Sequence, residues 1–513
     1  MPMFLKGDMT AAQLDEEPRL RVRSPRLPLR LDVVDDVPSD PDWDDAIAAN
    51  ELTPAIRPLV ATPLLAAAPP AQMAMLAVAD SSDAQTQFQV MPEPGEGLLL
   101  MVRNGDVVQW YLPQNAATPA MGKHFKAVAN AIAAPVPLTF HVPQSLLTTR
   151  PGVSHAGVGA AHESFAKAAL SFAPVLRFFR FPLIGDLLDG LVEKAVAFIA
   201  KEIEQKAKTE AFRRFDPENN FPRMSDDDLA ALKDQRVLLL THGIFSSTTG
   251  AFRAFGAAGD DLLTDLRAIY GTNNIIGWDH FTISKTPLEN AHDLLTRLPE
   301  GLEADILCHS RGALITRAML EHPDLKPLTQ SKIANVGKLI FVAGANQGSQ
   351  LAKFENLNRL LNIYSAVAST PLLGGAGVVL RVIVGLLRVL AHGAVQLPSI
   401  IALQPDEATN PFLAQLNDGA LATPVDRCVV VHANYDPRKG VLKELLDFNV
   451  DIIFNTANDM VVPFAGAELF DKLQAVTEAH NLRFGSVSET QGDVMHTNYF
   501  SQQSVRDIIR QTL

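Results

Sequence analysis

Residues 304–314 read Ala-Asp-Ile-Leu-Cys-His-Ser-Arg-Gly-Ala-Leu, and this stretch decides the predicted fold. An apolar run passes through a His-Ser-Arg-Gly turn into a segment with helical spacing, which predicts a strand, a sharp turn at Ser310 and a helix. The turn matches the pattern G-x-S-x-G of a nucleophile elbow, except that Cys308 replaces the first glycine. So tight a turn requires small residues two positions before and after the serine. Gly312 and Cys308 are both small, so the pattern makes Ser310 a candidate nucleophile.

The sequence from residue 236 onward repeats the order strand, loop, helix. Its apolar runs suit the central strands of a parallel sheet that helices cover on both faces. These runs are 237–240, 274–277, 304–308, 339–343, 428–431 and 450–454, with helical segments between them such as 287–298 and 313–322. The alternation predicts an α/β fold with a mostly parallel sheet over residues 236–513.

A second turn, residues 241–244 (Thr-His-Gly-Ile), follows the first of these strands. It would bring a backbone N–H to the same edge of the sheet as Ser310. Together with the N–H that follows a nucleophilic serine, such a group can stabilise an oxyanion. The predicted oxyanion hole is therefore the backbone amides of Ile244 and Arg311. An ordinary strand-to-loop turn is the alternative, but it does not account for the matching turn at Ser310.

A serine nucleophile needs a base and an orienting acid, which in this architecture follow it in the order acid, then histidine. Asp459 lies in a loop after a predicted strand, where parallel sheets form their sites. Asp436 is the rival acid, but it precedes a proline and resembles a turn residue. His496 follows a short predicted strand at 482–487 and precedes a closing helix. The sequence therefore favours Ser310, Asp459 and His496 as catalytic residues.

Two apolar side chains beside these turns complete the predicted site. Phe245 follows Ile244 and Val461 comes two residues after Asp459, so both are candidates for contact with a substrate. The sequence has no His-Glu-x-x-His motif and no carboxylate cluster that suggests a catalytic metal, and no cofactor is expected.

These residues together resemble the α/β-hydrolase superfamily, in particular its lipase and esterase branch. The resemblance covers residues 236–513, slightly over half of the chain. Residues 341–349 (Phe-Val-Ala-Gly-Ala-Asn-Gln-Gly-Ser) resemble the segment after the next lipase strand, and residues 410–417 (Asn-Pro-Phe-Leu-Ala-Gln-Leu-Asn) resemble the segment after lipase lids. Cys308 departs from the family glycine, and Asn-Gln replaces Pro-His within 341–349. The resemblance implies a serine carboxylic-ester hydrolase (a lipase or esterase) that forms an acyl-enzyme on Ser310.

Residues 352–409 form an insertion that indicates the kind of substrate. It contains a long apolar stretch, 378–390, which includes Arg381 and Arg388. A transmembrane helix is one interpretation, but each arginine would cost roughly 2.5–3.5 kcal/mol near the centre of a bilayer. The favoured interpretation is a lid helix over an apolar acyl pocket, with a plain buried helix and a membrane-dipping helix as alternatives. It predicts hydrophobic esters with medium or long acyl chains as substrates, and transient contact of the lid with a lipid surface.

The N-terminal part of the chain carries no family resemblance. A β-rich accessory domain is predicted over residues 1–150, and 151–235 are predicted as a helical linker region whose clearest helical spacing is at 184–199. The strand signals of the first domain are a run at 20–31, a hairpin at 98–111 with Asn-Gly at its turn, and a run at 137–142. The linker helix is expected to pack on a neighbouring domain. A membrane-surface role is the alternative, but its polar face carries acids as well as lysines.

The chain of 513 residues has a net charge of −13 and 47% hydrophobic residues, as expected of a globular protein with more than one domain. The acidic balance argues against nucleic acid as a partner. Two cysteines exclude a disulfide scaffold and a cysteine-rich zinc site. The N-terminus lacks the apolar segment of a signal peptide, so a cytoplasmic location is expected, although a trimmed secreted chain would begin in the same way. The oligomeric state is not indicated.

Other functions remain open at this stage. An acyltransferase, a thioesterase or a polyester depolymerase uses the same triad, and the acceptor of the acyl group decides between them. From a different class, a non-catalytic hydrolase-fold scaffold could bind a partner through the N-terminal domain. The complete triad argues against a scaffold, because a pseudoenzyme usually loses at least one of the three residues.

Overall fold

The computed structural model describes residues 2–25, 27–35, 37, 39–64, 84–104, 107–113, 136–147, 173–182, 192–256, 261–353, 356–368, 376–391, 397–418, 425–436, 457–470, 476–477 and 480–513. The strands are β1 (Met3–Leu5), β2 (Ala12–Leu14), β3 (Glu17–Arg23), β4 (Leu29–Val33), β5 (Thr53–Pro54), β6 (Leu59–Pro63), β7 (Gln85–Val90), β8 (Glu96–Asn104), β9 (Val107–Tyr111), β10 (Leu138–Pro143), β11 (Val175–Pro182), β12 (Ala211–Arg214), β13 (Arg236–Thr241), β14 (Ile275–Asp279), β15 (Leu302–His309), β16 (Ile333–Val342), β17 (Cys428–Ala433) and β18 (Asn481–Phe484). The α-helices are α1 (Pro41–Ala49), α2 (Val192–Ala207), α3 (Asp226–Ala230), α4 (Thr248–Phe252), α5 (Leu262–Tyr270), α6 (Pro287–Arg297), α7 (Gly312–Glu321), α8 (Lys326–Lys332), α9 (Leu357–Ala368), α10 (Ala376–Ala391), α11 (Pro398–Ile401), α12 (Pro411–Leu416), α13 (Phe464–Glu468) and α14 (Gln503–Thr512).

Two antiparallel sheets form the N-terminal part of the structure. One has the strand order β1-β4-β6-β11-β8-β9, with β5 paired to β11, and the other has the order β10-β7-β3-β2. Alternating burial along β3 and β10 shows that each strand turns one face towards the core. Aromatic side chains fill that core. The ring centroid of Trp110 lies 5.7 Å from that of Trp43 and 5.8 Å from that of Phe179.

The predicted strand at 20–31 is in fact two strands, β3 and β4, which belong to different sheets. The break between them contains Pro25 and Pro28, and proline has no N–H to donate to a sheet. The predicted hairpin is present as the antiparallel pair β8 and β9, although its turn at 105–106 lies outside the described residues. The strand predicted at 137–142 is β10.

Strand β11 corrects the prediction that residues 151–235 are a helical region. Its sequence, Val-Leu-Arg-Phe-Phe-Arg-Phe-Pro, is rich in aromatic residues and lacks helical spacing. It pairs with β8 along its whole length and therefore lies inside the larger N-terminal sheet. The amphipathic helix expected at 184–199 is α2, which begins at Val192, while residues 183–191 lie outside the described part of the chain.

A mostly parallel sheet forms the C-terminal part, in the order β12-β14-β13-β15-β16-β17-β18. Strand β12 runs antiparallel to β14, and the other neighbouring pairs are parallel. The predicted α/β class is therefore confirmed. Each predicted apolar run coincides with a strand of this sheet, except 450–454, which lies outside the described residues. The sheet begins at β12, upstream of residue 236.

The chain changes direction along this sheet at β13. Strand β14 lies on one side of β13 and β15 on the other, so the connections after β13 and β15 leave in opposite directions. Open α/β sheets bind ligands at such a switch point, at the carboxyl ends of the strands. The turns at Gly243 and Ser310 follow these two strands, so both sequence motifs lie at one edge of the sheet.

The insertion at 352–409 connects the two parts of the molecule. Helix α10 packs against α1, α2 and β8, and its Arg381 forms an ion pair with Asp45 at 2.6 Å. On α9, the Asn362 side chain accepts from Trp110 N at 2.9 Å and donates to Trp110 O at 3.3 Å. The arginine-bearing apolar helix is thus packed inside the protein against N-terminal elements. Within the described residues, none of the helices combines the length and the apolar character needed to cross a membrane.

Candidate active site

Ser310 lies in the turn between β15 and α7. Its backbone has φ +57°, in the left-handed region that a non-glycine residue adopts only where the surrounding structure holds it. A Cβ at Gly312 would stand 2.3 Å from the carbonyl oxygen of Thr241, so the close approach of α7 to β13 requires glycine there. Cys308 is completely buried at the end of β15. The local geometry is the sharp strand-turn-helix that the sequence predicts.

Three side chains form a continuous hydrogen-bond chain at this turn. His496 Nε2 lies 2.8 Å from Ser310 Oγ, and His496 Nδ1 lies 2.8 Å from Asp459 Oδ2. Each of the three residues is 2% exposed. Because an ionised carboxylate can only accept, Nδ1 carries the proton, and Nε2 is left to accept from the serine hydroxyl. The structure therefore brings together the three residues that the sequence selects as catalytic.

The carboxylate of Asp459 is fixed by further donors. Its Oδ1 accepts from Val461 N at 3.0 Å and from Val462 N at 2.8 Å, and its Oδ2 accepts from Tyr499 OH at 3.0 Å. Burial acts to raise the pKa of Asp459, but His496 and the two N–H groups outweigh it, so the pKa is lowered from its ordinary value. Sequence reasoning missed Tyr499, and its position three residues after His496 was the one signal available.

The rival acid, Asp436, makes different contacts. It lies just after β17, where its backbone N–H donates to Gln491 O at 2.7 Å and Thr490 Oγ1 lies 3.4 Å from its carboxylate. These contacts join the end of β17 to residues 490–491. Since Asp459 occupies the position at His496 Nδ1, the geometry agrees with the choice of Asp459 over Asp436.

The turn after β13 lies directly against Ser310. A Cβ at Gly243 would stand 2.7 Å from Ser310 Cβ and 3.0 Å from Ser310 Oγ, so glycine allows this approach. Among the described residues, none accepts a hydrogen bond from the backbone N–H of Ile244 or of Arg311. Free N–H groups on two turns that meet at a serine are what an oxyanion hole requires.

A small apolar pocket lies beside His496. The residues that line it are Ile363, Tyr364, Met460, Val461, Met495, His496 and Thr497. Ile363 and Tyr364 belong to α9, so this helix covers the site. Phe245 packs edge-on against Tyr364, with 5.1 Å between ring centroids. Of the two side chains predicted to contact a substrate, Val461 lines the pocket and Phe245 supports it through Tyr364.

His309, the residue before Ser310, contacts the backbone of His496. Its Nε2 lies 2.9 Å from His496 O, and because a carbonyl oxygen accepts, this nitrogen carries the ring proton. Burial, reinforced by the neighbouring His496, lowers the pKa of His309 to about 3. The ring is therefore neutral and helps to hold His496 in place. Sequence reasoning missed this contact, because it joins residues that are far apart in the chain.

Because several histidines are buried, we expect the protein to lose stability in mild acid. Burial lowers the pKa of His242 and of His309 to about 3, and it lowers the pKa of His280 well below the ordinary value of 6.5. These rings are neutral when folded and take up protons on unfolding below that ordinary value. The free energy of unfolding should therefore fall as the pH drops from about 6.5 towards 3, by up to about 4 kcal/mol per pH unit for all three rings. Urea unfolding at a series of pH values measures this slope.

Single variants assign the slope to these rings. His309→Gln should reduce it by roughly 1.4 kcal/mol per pH unit. Replacing His292, which is 59% exposed, with glutamine should leave the slope unchanged. A free energy of unfolding that stays constant between about pH 6 and about pH 4.5 would contradict the neutral state of the buried rings.

Among the described residues, no set of three or more His, Cys, Asp or Glu side chains is arranged to hold a metal ion. Cys308 and Cys428 are both buried and free of disulfide bonds. Burial raises the pKa of both thiols, so neither is a ready nucleophile.

One family model matches more than half of the chain. Its description is "Domain of unknown function (DUF7379)", and it matches residues 203–513. None of the curated proteins matches the sequence.

Solved lipase structures are similar to part of the chain. The mature form of lipase BlEst2 from Bacillus licheniformis has 15% sequence identity and a TM-score of 0.31, and the match covers 54% of this chain and 92% of that one. Lipase 1 from Pelosinus fermentans has 10% identity and a TM-score of 0.34, with coverage of 54% and 97%. Phospholipase PlaB from Legionella pneumophila has 15% identity and a TM-score of 0.29, with coverage of 46% and 45%. The sheet order and the turn at Ser310 are those that a resemblance to the α/β-hydrolase fold implies.

Proposed function

The chain belongs to the family described as a domain of unknown function (DUF7379), and we propose that it is a serine-dependent hydrolase of carboxylic esters with hydrophobic acyl groups. The observation that carries the proposal is the hydrogen-bond chain from Ser310 through His496 to Asp459, at the carboxyl edge of a parallel sheet. A serine bonded to a histidine that a carboxylate orients is activated for nucleophilic attack.

The first half of the reaction transfers the acyl group to Ser310. Ser310 Oγ attacks the ester carbonyl carbon while His496 Nε2 takes its proton. The carbonyl oxygen becomes an oxyanion, which accepts hydrogen bonds from the N–H groups of Ile244 and Arg311. When the tetrahedral intermediate collapses, the carbon–oxygen bond to the alcohol breaks and His496 gives its proton to the leaving alcohol. Asp459 holds Nδ1–H throughout and stabilises the imidazolium that forms.

The second half releases the acid. Water enters the position that the alcohol has left, and His496 Nε2 takes a proton from it as it attacks the acyl-enzyme. The same amides of Ile244 and Arg311 stabilise the second oxyanion. Collapse breaks the bond to Ser310 Oγ, and His496 returns the proton to the serine. The cycle uses only side chains and amides of this chain.

The pocket supports a hydrophobic acyl group as the substrate portion. Its aliphatic and thioether surfaces come from Ile363, Met460, Val461 and Met495, and such surfaces bind alkyl chains through burial of apolar area. Because Ser310 is 2% exposed, an ester reaches it when the covering helix α9 moves. We therefore assign the lid role to α9, with its Asn362 contacts to Trp110 as the attachment that must loosen.

The same triad would serve an acyltransferase, a thioesterase or a polyester depolymerase. These activities share the acyl-enzyme and differ in the group that enters or leaves, so they are variants of one proposal. A non-catalytic scaffold is the competing class. The unused amides of Ile244 and Arg311 beside an activated serine favour the enzyme, because a scaffold has no need of them.

Labelling with a small alkyl fluorophosphonate tests the proposal on the whole protein. An activated serine displaces fluoride and forms a stable phosphonate ester, so we expect stoichiometric labelling of the peptide that contains Ser310. The heat-unfolded protein is the control, since it retains the serine but not the His496 contact. Absence of both Ser310 labelling and p-nitrophenyl ester hydrolysis, with and without detergent micelles, would contradict the proposed function.

A further inference from the structure

Helix α2 and Lys208 bring buried charges to the turn after β13, residues 242–246, which we call the oxyanion turn. Glu202 and Lys206 of this helix are exposed, whereas Glu204 is completely buried. The side chain of Lys208, just beyond the end of the helix, is 5% exposed. Burying a carboxylate and an ammonium group requires hydrogen-bond partners for both. Their partners are the two loops that surround the predicted oxyanion hole.

The Glu204 carboxylate organises the loop that follows β14. It accepts from the backbone N–H of Thr282, from Ile283 N at 3.0 Å and from Ser284 N at 2.9 Å. The hydroxyls of Thr282 and Ser284 also donate to it, at 3.1 Å and 2.6 Å. A single buried anion therefore holds residues 282–284 in place.

This loop contacts both turns that would supply the oxyanion hole. On one turn, Phe245 N, which follows Ile244, donates to Thr282 Oγ1 at 3.2 Å. On the other, Arg311 Nη2 donates to Lys285 O at 2.6 Å. The Arg311 side chain is completely buried, and burial lowers its pKa to about 10, while the charge of Glu204 favours its protonated form. The loop that Glu204 anchors thus joins the two turns.

Lys208 holds the oxyanion turn through a different contact. Its Nζ donates to Ser246 O at 2.9 Å and lies 4.0 Å from Glu204 Oε1. Burial lowers the pKa of Lys208, while the carboxylates of Glu204 and Asp279 favour its charged form. The turn is therefore attached to a buried cation at Ser246 and, through the loop at 282–284, to a buried anion.

We propose that Glu204 and Lys208 are positioning residues that set the direction of the Ile244 and Arg311 N–H groups, and so the stabilisation of the oxyanion. This inference rests on the proposed function. Oxyanion donors must point to where the negative charge develops, and a displacement of about 1 Å can lower a rate by as much as 100-fold. A buried ion pair contributes little net stability by itself, so the value of this pair lies in the loop geometry that it holds.

The variant Lys208→Met tests this positioning role. Methionine keeps much of the buried volume and removes the donor to Ser246 O. For a p-nitrophenyl ester we expect kcat to fall by about 10- to 100-fold while KM changes by less than about 2-fold. The affinity for a trifluoromethyl ketone, whose adduct with serine carries an oxyanion, should fall by the same factor. Lys206→Met is the matched control, because Lys206 lies two residues before Lys208, in α2, and pairs with Glu51 at the surface.

Thr282→Val is a second variant that leaves the buried charges unchanged. Valine has nearly the same shape, but it removes the hydroxyl that accepts from Phe245 N and donates to Glu204, so the same loss of kcat at constant KM is expected. This variant decides the outcome where Lys208→Met fails to fold. If the wild type is active and both variants fold with the same kcat as the wild type, the positioning role is overturned while the proposed function stands. Absence of Ser310-dependent hydrolysis in the wild type would overturn the proposed function, and this inference with it.

Discussion

Replacing Ser310 with alanine is expected to lower kcat for a p-nitrophenyl ester by about 10⁶-fold. Alanine removes the Oγ that bonds His496 Nε2 and leaves the backbone and the Cβ in place. Alanine adds no atom. It also adds no backbone strain, because a non-glycine residue already adopts φ +57° at this position. The amides of Ile244 and Arg311 and the apolar pocket remain, and they account for the residual rate over water. The loss is therefore one of chemistry and not of folding.

Steady-state kinetics of Ser310→Ala, His496→Ala and the double variant measure this effect. Because the two groups act as a unit, the double variant should be no slower than Ser310→Ala within about 3-fold. Ser488→Ala is the control, since Ser488 is exposed and its hydroxyl lies beside that of Ser486. Retention of a tenth or more of wild-type kcat by Ser310→Ala would exclude Ser310 as the nucleophile.

Replacing Asp459 with asparagine is expected to lower kcat by about 10⁴-fold with little change in unfolding temperature. In the wild type, the Asp459 carboxylate accepts from His496 Nδ1 at 2.8 Å. An asparagine amide that donates at that point would reverse the tautomer, so the proton would move to Nε2 and the ring could no longer accept from Ser310. The pKa of Asp459 is lowered in the folded protein, so loss of its charge also removes stabilisation of the imidazolium.

Asp436→Asn is the matched control for this experiment. Asp436 is also a buried aspartate near the end of β17, and its carboxylate lies near Thr490 instead of the base. We expect its kcat to stay within about 10-fold of the wild type. A larger loss in Asp436→Asn than in Asp459→Asn would reverse the assignment of the acid. Pre-steady-state release of p-nitrophenol distinguishes slow acylation from slow deacylation in either variant.

The sequence predicted the C-terminal sheet well because its signals are local. Runs that are apolar on both faces occur where helices cover the sheet, and the strand ends are marked by Gly243 and Ser310. The N-terminal sheets are harder to predict from the sequence, because several of their antiparallel strand pairs join segments that are far apart in the chain. The sequence places strand β11 within a predicted helical region, because β8, the strand with which it pairs, is far away in the chain.

The apolar stretch at 378–390 shows the limit of hydrophobic patterning. Its composition agrees with a lid, a buried helix or a membrane helix. The structure packs α10 against N-terminal elements and places the preceding helix, α9, over the pocket. The sequence shows that this segment is apolar, but tertiary contacts determine which elements pack against it.

The local sequence predicts the candidate nucleophile and the turn around it. A sharp turn at Ser310 demands small neighbours such as Gly312, and these lie within a few residues of each other. The acid and the base followed from their chain order after the serine, with Asp436 left as a rival.

The groups that complete and support the candidate site are brought together by contacts between distant segments of the chain. Asp459 contacts His496 and accepts from Tyr499, and the place of the tyrosine three residues after His496 is not enough to predict that contact. Glu204 and Lys208 lie in a stretch rich in charged residues, 201–208, yet the side chains of both are buried against loops far along the chain. The sequence does not show whether a glutamate or a lysine is exposed to water or buried. The partners that folding brings to the charged group decide whether it is a solvated surface charge or a buried group beside the candidate site.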